Sequence, residues 1–322
     1  MIRSFYYQAN EPVKVIDGTE NFDKLLEKKD SVLWVDLCNP DDKELYILRH
    51  DFKFHPLAIE DVISEKPSTK VDDYDDYIFV VFQIVDFFGK NGGLKNREID
   101  FFLYKNALVT VHYEEHRIFD ELYQRAENDE RLFSRGAEFL FHAVIDAIVD
   151  NYNSTLDILE YEIEEVETDV LGEPDKETVK AIYTLRRDIV SLKRMVMPQK
   201  ELVSRFARGD FSQISEKSAV YFSDIHDHLL RIDDLANFHR EILNSSLETY
   251  YSSVSTKTNE IIKFLTIFTV LFIPPTFMVG LWGMNFEFMP ELHLENGYFY
   301  SLGIMSVIVS GLLMFFRKKK WL

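Results

Sequence analysis

Two stretches near the C-terminal end decide how this chain is read: residues 261–281, IIKFLTIFTVLFIPPTFMVGL, and residues 298–316, YFYSLGIMSVIVSGLLMFF. The first has 21 residues with Lys263 as its only charge, and the second has 19 with none. At about 1.5 Å of rise per residue, either helix can cross a hydrocarbon core roughly 30 Å thick. A pair of buried core helices is the alternative. Two such runs only 16 residues apart would need a very large soluble core around them. The pattern predicts two transmembrane helices joined by a short hairpin.

Basic residues set the orientation. The connecting loop, residues 282–297, has no Lys or Arg and carries Glu287, Glu291 and Glu295. On the other side lie Lys257 and Lys263 before the first run and Arg317-Lys318-Lys319-Lys320 straight after the second. The positive-inside rule predicts cytosolic termini, an outer loop and two spans of the cell membrane. Tyr298 and Trp321 suit interfacial anchoring in the lipid bilayer. Residues 257–322 sum to +2 in a chain of −19, so the first 256 residues hold −21. An acidic cytosolic body on a small, cation-flanked anchor is the expectation. Such a charge argues against nucleic acid as a partner. The single cysteine, Cys38, excludes an intrachain disulfide framework and suits a reducing compartment. The N-terminal residues predict no cleavable signal peptide.

The cytosolic part divides in two. Residues 1–130 mix strand and helix signals and predict an α/β domain, its sheet antiparallel or mixed and flanked by helices. Val32-Leu33-Trp34-Val35, Tyr77-Ile78-Phe79-Val80-Val81-Phe82 and Phe101-Phe102-Leu103-Tyr104 are β-branched and aromatic runs. Leu108-Val109-Thr110-Val111 follows the last of these across Lys105-Asn106-Ala107, which reads as a hairpin. Asn39-Pro40-Asp41-Asp42 predicts a helix start with Pro just inside the cap, and Pro56 opens another helix. Residues 131–260 predict long helices. From about Ala137, apolar residues recur every three or four positions, from Leu140 through Ile148 and Leu159 to Val170, until Gly172-Glu173-Pro174. A return helix runs through Val179, Ile182, Leu185, Ile189, Leu192 and Met195.

The third helix is the most informative. Residues 220–273 contain neither Gly nor Pro over 54 positions, enough for an unbroken helix of about 80 Å. It leads from the cytosolic part into the first span. Two spans cannot enclose a pore alone, so they either anchor the body or assemble with other copies around an axis. Asn259, Thr266, Thr269, Ile273, Thr276 and Gly280 lie on one helical face, which fits ordinary membrane-helix packing and a shared lumen equally. Pro274-Pro275 frees the carbonyls of Val270 and Leu271, either for a wet lumen or in a benign kink.

At the outer end of this span stands Trp282-Gly283-Met284-Asn285-Phe286, followed by Phe288-Met289-Pro290-Glu291-Leu292. A Gly-Met-Asn triplet ending the penultimate span, a short acidic loop, a final span and a Lys318-Lys319-Lys320-Trp321-Leu322 end strongly resemble the CorA family of magnesium channels. His55-Pro56-Leu57-Ala58-Ile59-Glu60-Asp61-Val62, Tyr251-Ser252-Ser253-Val254-Ser255-Thr256-Lys257-Thr258-Asn259-Glu260 and Thr276-Phe277 look like further signatures of that family. The resemblance covers essentially the whole sequence.

What the resemblance implies is a funnel-shaped homopentamer. Its α/β cytosolic domain joins long helices to a two-helix transmembrane domain at residues 261–322. Gly283, Met284 and Asn285 would form the outer selectivity site, and Asn259 a polar ring at the inner end. Ile262, Leu265 and Ile273 match apolar gate positions, and Thr276 and Gly280 match pore-lining ones. Lys318, Lys319 and Lys320, with Arg317 before them, match a basic collar around the inner mouth. Five neutral Asn285 side chains suit hydrated Mg²⁺, which gives up water reluctantly. Glu287, Glu291 and Glu295 would draw divalent cations to the entrance. Trp282 stands where a tyrosine is more usual, and Pro274-Pro275 replaces a single proline.

Mg²⁺ is implied as regulator as well as cargo. Asp224 matches a family aspartate that binds intracellular divalent metal between subunits, and Asp227 and His228 share its helical face. Its usual partner falls on Phe88 here, with Asp86 two residues earlier as the available acid. The acidic run from Glu160 to Asp169 reads as a solvated helix face. His112-Tyr113-Glu114-Glu115-His116 suggests zinc only superficially, since its glutamates have the wrong spacing for a zincin and His112 ends a strand. With no phosphate-binding glycine loop and no nucleophile–base motif, the expected activity is passive uptake of Mg²⁺, with Co²⁺ or Ni²⁺ as further cargo, driven by the membrane potential and not enzymatic. A proton-coupled zinc transporter of the same fold is the near alternative, with His293 as its one hint. A membrane-anchored enzyme is the alternative of a different class.

Overall fold

The computed structural model describes the chain except residues 10, 17–21, 29, 65–67, 90–91, 173, 288 and 322. It forms two compact units, Met1–Leu247 and Glu248–Leu322.

The first unit begins with strands β1 (Ile2–Gln8) and β2 (Lys14–Ile16), helix α1 (Phe22–Leu26) and strand β3 (Ser31–Cys38). Helices α2 (Asp42–His50) and α3 (Pro56–Ser64) follow, then strands β4 (Lys70–Asp73), β5 (Tyr77–Phe87), β6 (Leu94–Tyr104) and β7 (Ala107–His112). The seven strands form one sheet in the order β2-β1-β3-β7-β6-β5-β4. Every neighbouring pair is antiparallel except the central β3–β7, which is parallel and pairs Trp34 with Leu108. The expected mixed sheet is present, and the expected hairpin joins β6 to β7 with Leu103 opposite Leu108.

Both faces of the sheet are covered, which is why β5 and β7 are almost continuously buried rather than alternating. On one face, Leu33, Val35, Phe79, Phe102 and Val109 pack with Ile47, Leu48, Phe54, Ile59 and Val62 of α2, α3 and the segment between them. The other face carries helix α4 (Arg117–Asn128) and the long helices α5 (Ala137–Leu171) and α6 (Lys176–Ala207). Here Phe101 meets Phe141 edge-on at 5.3 Å between ring centroids. The α5 side chains Asn151 and Tyr152 donate to the carbonyls of Val85 and Gln83, each at 2.5 Å, fixing the helix along β5.

Local chemistry explains the helix starts. At α2 the cap is Asp41, which accepts from the amides of Lys43 and Glu44 while Glu44 accepts from the Asp41 amide. Pro40 therefore precedes the cap instead of sitting just inside it, because this reciprocal carboxylate arrangement fixes the boundary one residue later. Pro56 does occupy the first position of α3. Gly172 ends α5 and Pro174 precedes α6, as the Gly172-Glu173-Pro174 sequence suggests, though Glu173 lies outside the described residues.

Helix α7 (Glu216–Trp282) is a single 67-residue element. Its start is fixed by Glu138 of α5, which accepts from the Ser215 amide (2.7 Å) and from the Ser215 and Ser218 hydroxyls (2.7 and 2.9 Å). Farther along, Lys200 and Lys193 of α6 reach Asp233 at 2.8 and 3.4 Å. The helix continues through Pro274-Pro275 without a break. The second unit contains the end of α7, a 3₁₀ turn at Pro290–His293 and helix α8 (Gly297–Lys318). The C-terminal part of α7 and the whole of α8 are each long and apolar enough to cross a membrane.

Candidate functional site

In the second unit, α7 and α8 pack together through one face of each. Ile267 and Phe316 are buried, and Lys263 Nζ donates to the Lys320 carbonyl at 3.3 Å. From Ile261 onward, the partly covered residues of α7 (Lys263, Val270, Leu271, Pro274, Pro275, Met278 and Trp282) cluster around Ile267 at helical spacing. At 100° per residue, Ile262, Thr269, Ile273, Thr276 and Gly280 lie on the far side of α7 from that contact, with Asn259 and Thr266 on its flank. All seven are exposed, and so is Leu265 beside them. Thr266 and Thr269 satisfy their hydroxyls on the helix itself, donating to the Ile262 and Leu265 carbonyls at 2.7 and 2.8 Å. The stripe thus combines polar positions with Ile262, Leu265 and Ile273, and it faces away from α8.

The stripe runs up to Gly283-Met284-Asn285. The Gly283 amide donates to Val279 at 2.9 Å and closes the last turn of α7. A Cβ at Gly283 would stand 3.1 Å from that same carbonyl, so a side chain would press against the helix end. Met284 and Asn285 follow as exposed residues, Met284 in a bend and Asn285 outside any helix or strand. Glu287 and Glu295 are exposed nearby, while the Glu291 side chain and Phe288 lie outside the described residues. At the other end, Arg317, Lys318, Lys319 and Lys320 are all exposed, and Trp321 stacks on Phe316 with centroids 5.9 Å apart.

In the first unit, Asp224 projects from α7 with 74% of its side chain exposed and His228 Nε2 4.0 Å away. His228 Nδ1 has no hydrogen-bond partner. Asp227 is turned to His226, at 3.8 Å. Opposite stand His142, Asp146 and Asp150, one face of α5 at spacings of four. Burial raises the Asp146 carboxyl, and Asp150 and Asp224 add to the effect against His142 and His228. Burial also lowers His142, although Asp146 and Asp224 oppose it. Acids from two helices therefore share one incompletely neutralised field.

Asp86 is differently placed. It accepts from His116 Nε2 at 3.0 Å and Arg97 Nη1 at 2.9 Å. Burial alone would raise its carboxyl, but His116 and Arg97 hold it below the usual range. Within one chain Asp86 is engaged by Arg97 of β6 and by His116 at the start of α4, and among the described residues no three His, Cys, Asp or Glu side chains gather to hold a metal ion, so the expected set of Asp224, Asp227, His228 and Asp86 is not brought together within one chain. Phe88 is exposed, with the Lys95 ammonium 5.2 Å over its ring. His112 is buried against Asp36 (3.2 Å) and directs Nδ1 at the Glu114 carbonyl (2.7 Å), so the two histidines of that motif face different carboxylates.

The family model described as CorA-like Mg²⁺ transporter protein matches residues 29–318. This chain belongs to that family. Among CorA relatives, it is 35% identical to the cobalt/magnesium transport protein CorA of Thermotoga maritima over 272 residues, covering 84% of this chain and 78% of that one. It is 33% identical to the putative metal ion transporter YfjQ of Bacillus subtilis, over 89% of each chain. The fold matches the complete structure of the CorA magnesium transporter from Methanocaldococcus jannaschii with a TM-score of 0.87 at 23% identity, over 99% of this chain and 98% of the other. CorA proteins are ion transporters and not enzymes.

Asp146 is the residue of interest that the sequence reading passed over. The His142–Asp146–Asp150 spacing is visible as a polar stripe in the otherwise apolar run from Phe139 to Asp150. Only the packing of α5 against α7 gives the stripe a partner.

Proposed function

We propose that this chain is the protomer of a homopentameric pathway for passive, voltage-driven entry of Mg²⁺, with Co²⁺ as a further cargo. Both names of the Thermotoga relative support that cargo, and family membership supports transport. The observation that carries the pore reading is the exposed stripe from Asn259 to Gly280, turned away from α8 and ending at Gly283-Met284-Asn285. A two-helix unit that leaves Thr and Gly on its uncovered face has that face free for copies of itself. Five copies around an axis would line a lumen with Asn259 at the cytosolic end and Asn285 at the outer end. Neutral Asn285 amides accept hydrogen bonds from the water shell of the ion, so passage needs little dehydration. Ile262, Leu265 and Ile273 narrow the lumen with apolar side chains that gate by excluding water. The outer glutamates gather cations, and the collar of Arg317 to Lys320 surrounds the inner mouth.

A doubly charged ion crossing the whole field gains about 4.6 kcal/mol per 100 mV, twice the value for a unit charge. That suffices for accumulation without ATP. Cation flux into proteoliposomes tests the reading: an imposed inside-negative potential should drive Mg²⁺ entry, and a proton gradient without potential should not. Flux that follows the proton gradient and ignores the potential would replace this reading with a coupled transporter. Regulation belongs to the same proposal. Intracellular Mg²⁺ would bind at Asp224, with Asp146 and His228 beside it, bridge subunits and favour the closed state.

A further inference from the structure

Within the Met1–Leu247 unit, helix α7 is held by a seam whose buried residues alternate by three and four positions from Phe222 to Ser246. In its middle the seam runs Ile232, Ala236, His239 and Leu243, so an imidazole stands where the spacing asks for an apolar side chain. His239 is 2% exposed, and among the described residues neither Nδ1 nor Nε2 has a hydrogen-bond partner. Ser246, the other polar member of the seam, satisfies itself on its own helix by donating to the Ile242 carbonyl at 2.9 Å. A neutral imidazole carries one donor and one acceptor, and burying both unpaired is costly.

The seam is made with α5 and α6. Lys200 and Lys193 of α6 donate to Asp233 and Asn237 of α7 at 2.8 and 2.5 Å, so α6 runs antiparallel beside it. Phe141 of α5 meets Phe222 at 5.8 Å between ring centroids, and α5 runs parallel from there to bring Glu160 to the level of His239. Leu159 of α5 and Leu192 of α6, both fully buried, fall at the same register. The charged groups around this level are Glu160 of α5, with Glu164 a turn beyond it, Lys193 of α6, and Arg240 of α7 itself. Lys193 is already taken by Asn237 and Asp233. Glu160 is exposed, and its charge favours a protonated ring, while burial holds the imidazole below its ordinary value.

We propose that His239 is a proton-operated latch: neutral, it lets α7 lie closed against α5 and α6, and protonated, it swings out toward Glu160 and water and releases α7 there. Inside the seam a charged imidazole has no acceptor, whereas outside it has water and the Glu160 carboxylate. The seated state therefore binds the proton less well than the released one. The seam is fully held above the ordinary imidazole value of 6.5 and weakens as pH falls below it. One proton limits the effect to tenfold per pH unit. The helix so loosened is the one that continues unbroken to Trp282. The latch needs neither a metal ion nor a second copy, so it stands or falls apart from the regulation proposed at Asp224.

The test is hydrogen–deuterium exchange of the full-length protein in detergent at fixed Mg²⁺ and ionic strength, with exchange times scaled for the intrinsic effect of pH. Between pH 7.5 and 5.5, protection of peptides covering residues 232–246 should fall about three- to tenfold in the wild type. His239→Phe keeps an aromatic ring in the seam and carries no titratable group, so its protection should stay level over the same range. Other histidines titrate in both proteins, and the difference between the two isolates His239. If His239→Phe does not fold, His239→Leu decides in its place. Wild-type protection that stays flat, or a variant that loses protection as the wild type does, overturns the latch.

Discussion

Asn285 stands beyond the last turn of α7 as an exposed, neutral amide, and its lack of charge matters most at the scale of single residues. On the proposed pathway, replacing it with Ala removes the acceptor offered to a hydrated ion without touching the helix, whose end is closed by Gly283 and Val279. Asn285→Ala is expected to cut Mg²⁺ flux by at least about tenfold, a loss of one charge-assisted interaction per subunit, with the assembly unchanged in size-exclusion chromatography. Undiminished flux would remove Asn285 from the pathway. His112 makes a separate prediction about stability. Burial opposes its charge, but Asp36 and the Glu114 carbonyl outweigh it and raise the imidazole above its ordinary value. The stabilisation is then complete below the unfolded value near 6.5 and fades as pH rises through the higher folded value. Asp36 also accepts from the Thr110 and Tyr123 hydroxyls, and Thr110 in turn accepts from Trp34 Nε1 at 3.1 Å, so Trp34 fluorescence reports on the network. His112→Ala should cost about 3–5 kcal/mol, the usual penalty for breaking a buried pair. Urea titrations should show the wild-type midpoint falling with alkaline pH and the variant midpoint flat over that range. Parallel curves would mean the pair stays neutral.

At the scale of elements, helices were far more legible than strands. The three-or-four spacing from Leu140 to Val170 marks α5 almost to the residue, because one stripe of a long helix is buried along its whole length. Strands β1, β2 and β4 carry no comparable signal. Ile2–Gln8 is covered on both sides through residues 4–7, so its polar and apolar residues do not alternate, and β2 and β4 are three and four residues long. The α2 boundary moved because a capping box outranks a neighbouring proline. The first span was read straight through Pro274-Pro275, and those prolines, like Pro198 in α6, do lie within their helices. One restraint on α7 is Asp233. Burial opposes its ionisation, yet Lys200 and Lys193 hold the carboxyl below its ordinary value. Its contribution is present above the unfolded carboxylate value and is lost as pH falls through the lower folded one. Asp233→Ala strands the Lys200 ammonium and leaves Lys193 only Asn237 Oδ1, and should cost about 1–3 kcal/mol. Denaturation at pH 7 should show that deficit, and at pH 3 the variant and wild type should converge. A deficit that persists at pH 3 would mean packing, not the ion pairs, is what Asp233 supplies.

At the scale of the whole molecule, the site was legible to the extent that it lies within one chain. That Asn259, Thr266, Thr269, Ile273, Thr276 and Gly280 share one helical face follows from spacing alone, whereas the groups around Asp224 depend on how α5 meets α7, which no linear spacing encodes. The charge of −21 on the first 256 residues turns those groups into a regulatory argument. Multiplied around an assembly, such bodies repel one another unless cations sit between them. Asp224 is exposed, while burial holds Asp146 above the ordinary carboxylate range, so cation binding there relieves unfavourable charge on both sides. On the proposed gating, losing Mg²⁺ would let the bodies separate, and α7, a single helix from Glu216 to Trp282, would carry the displacement to Ile262, Leu265 and Ile273. The shift between closed and open states is bounded by the difference in Mg²⁺ affinity between them. Asp224→Lys places a fixed positive charge where the metal would bridge. It should keep the assembly closed-competent while raising the Mg²⁺ midpoint for flux inhibition about tenfold or erasing the dependence, a coupling of roughly 1.4 kcal/mol. Protection of the cytosolic unit from protease by Mg²⁺ should weaken in parallel. Asp146→Asn should shift both midpoints in the same direction by a smaller factor, since it removes one acid and adds no charge. If Asp224→Lys keeps wild-type midpoints in both assays, the sensor lies elsewhere on the acidic surface, and the continuous helix is left without its trigger.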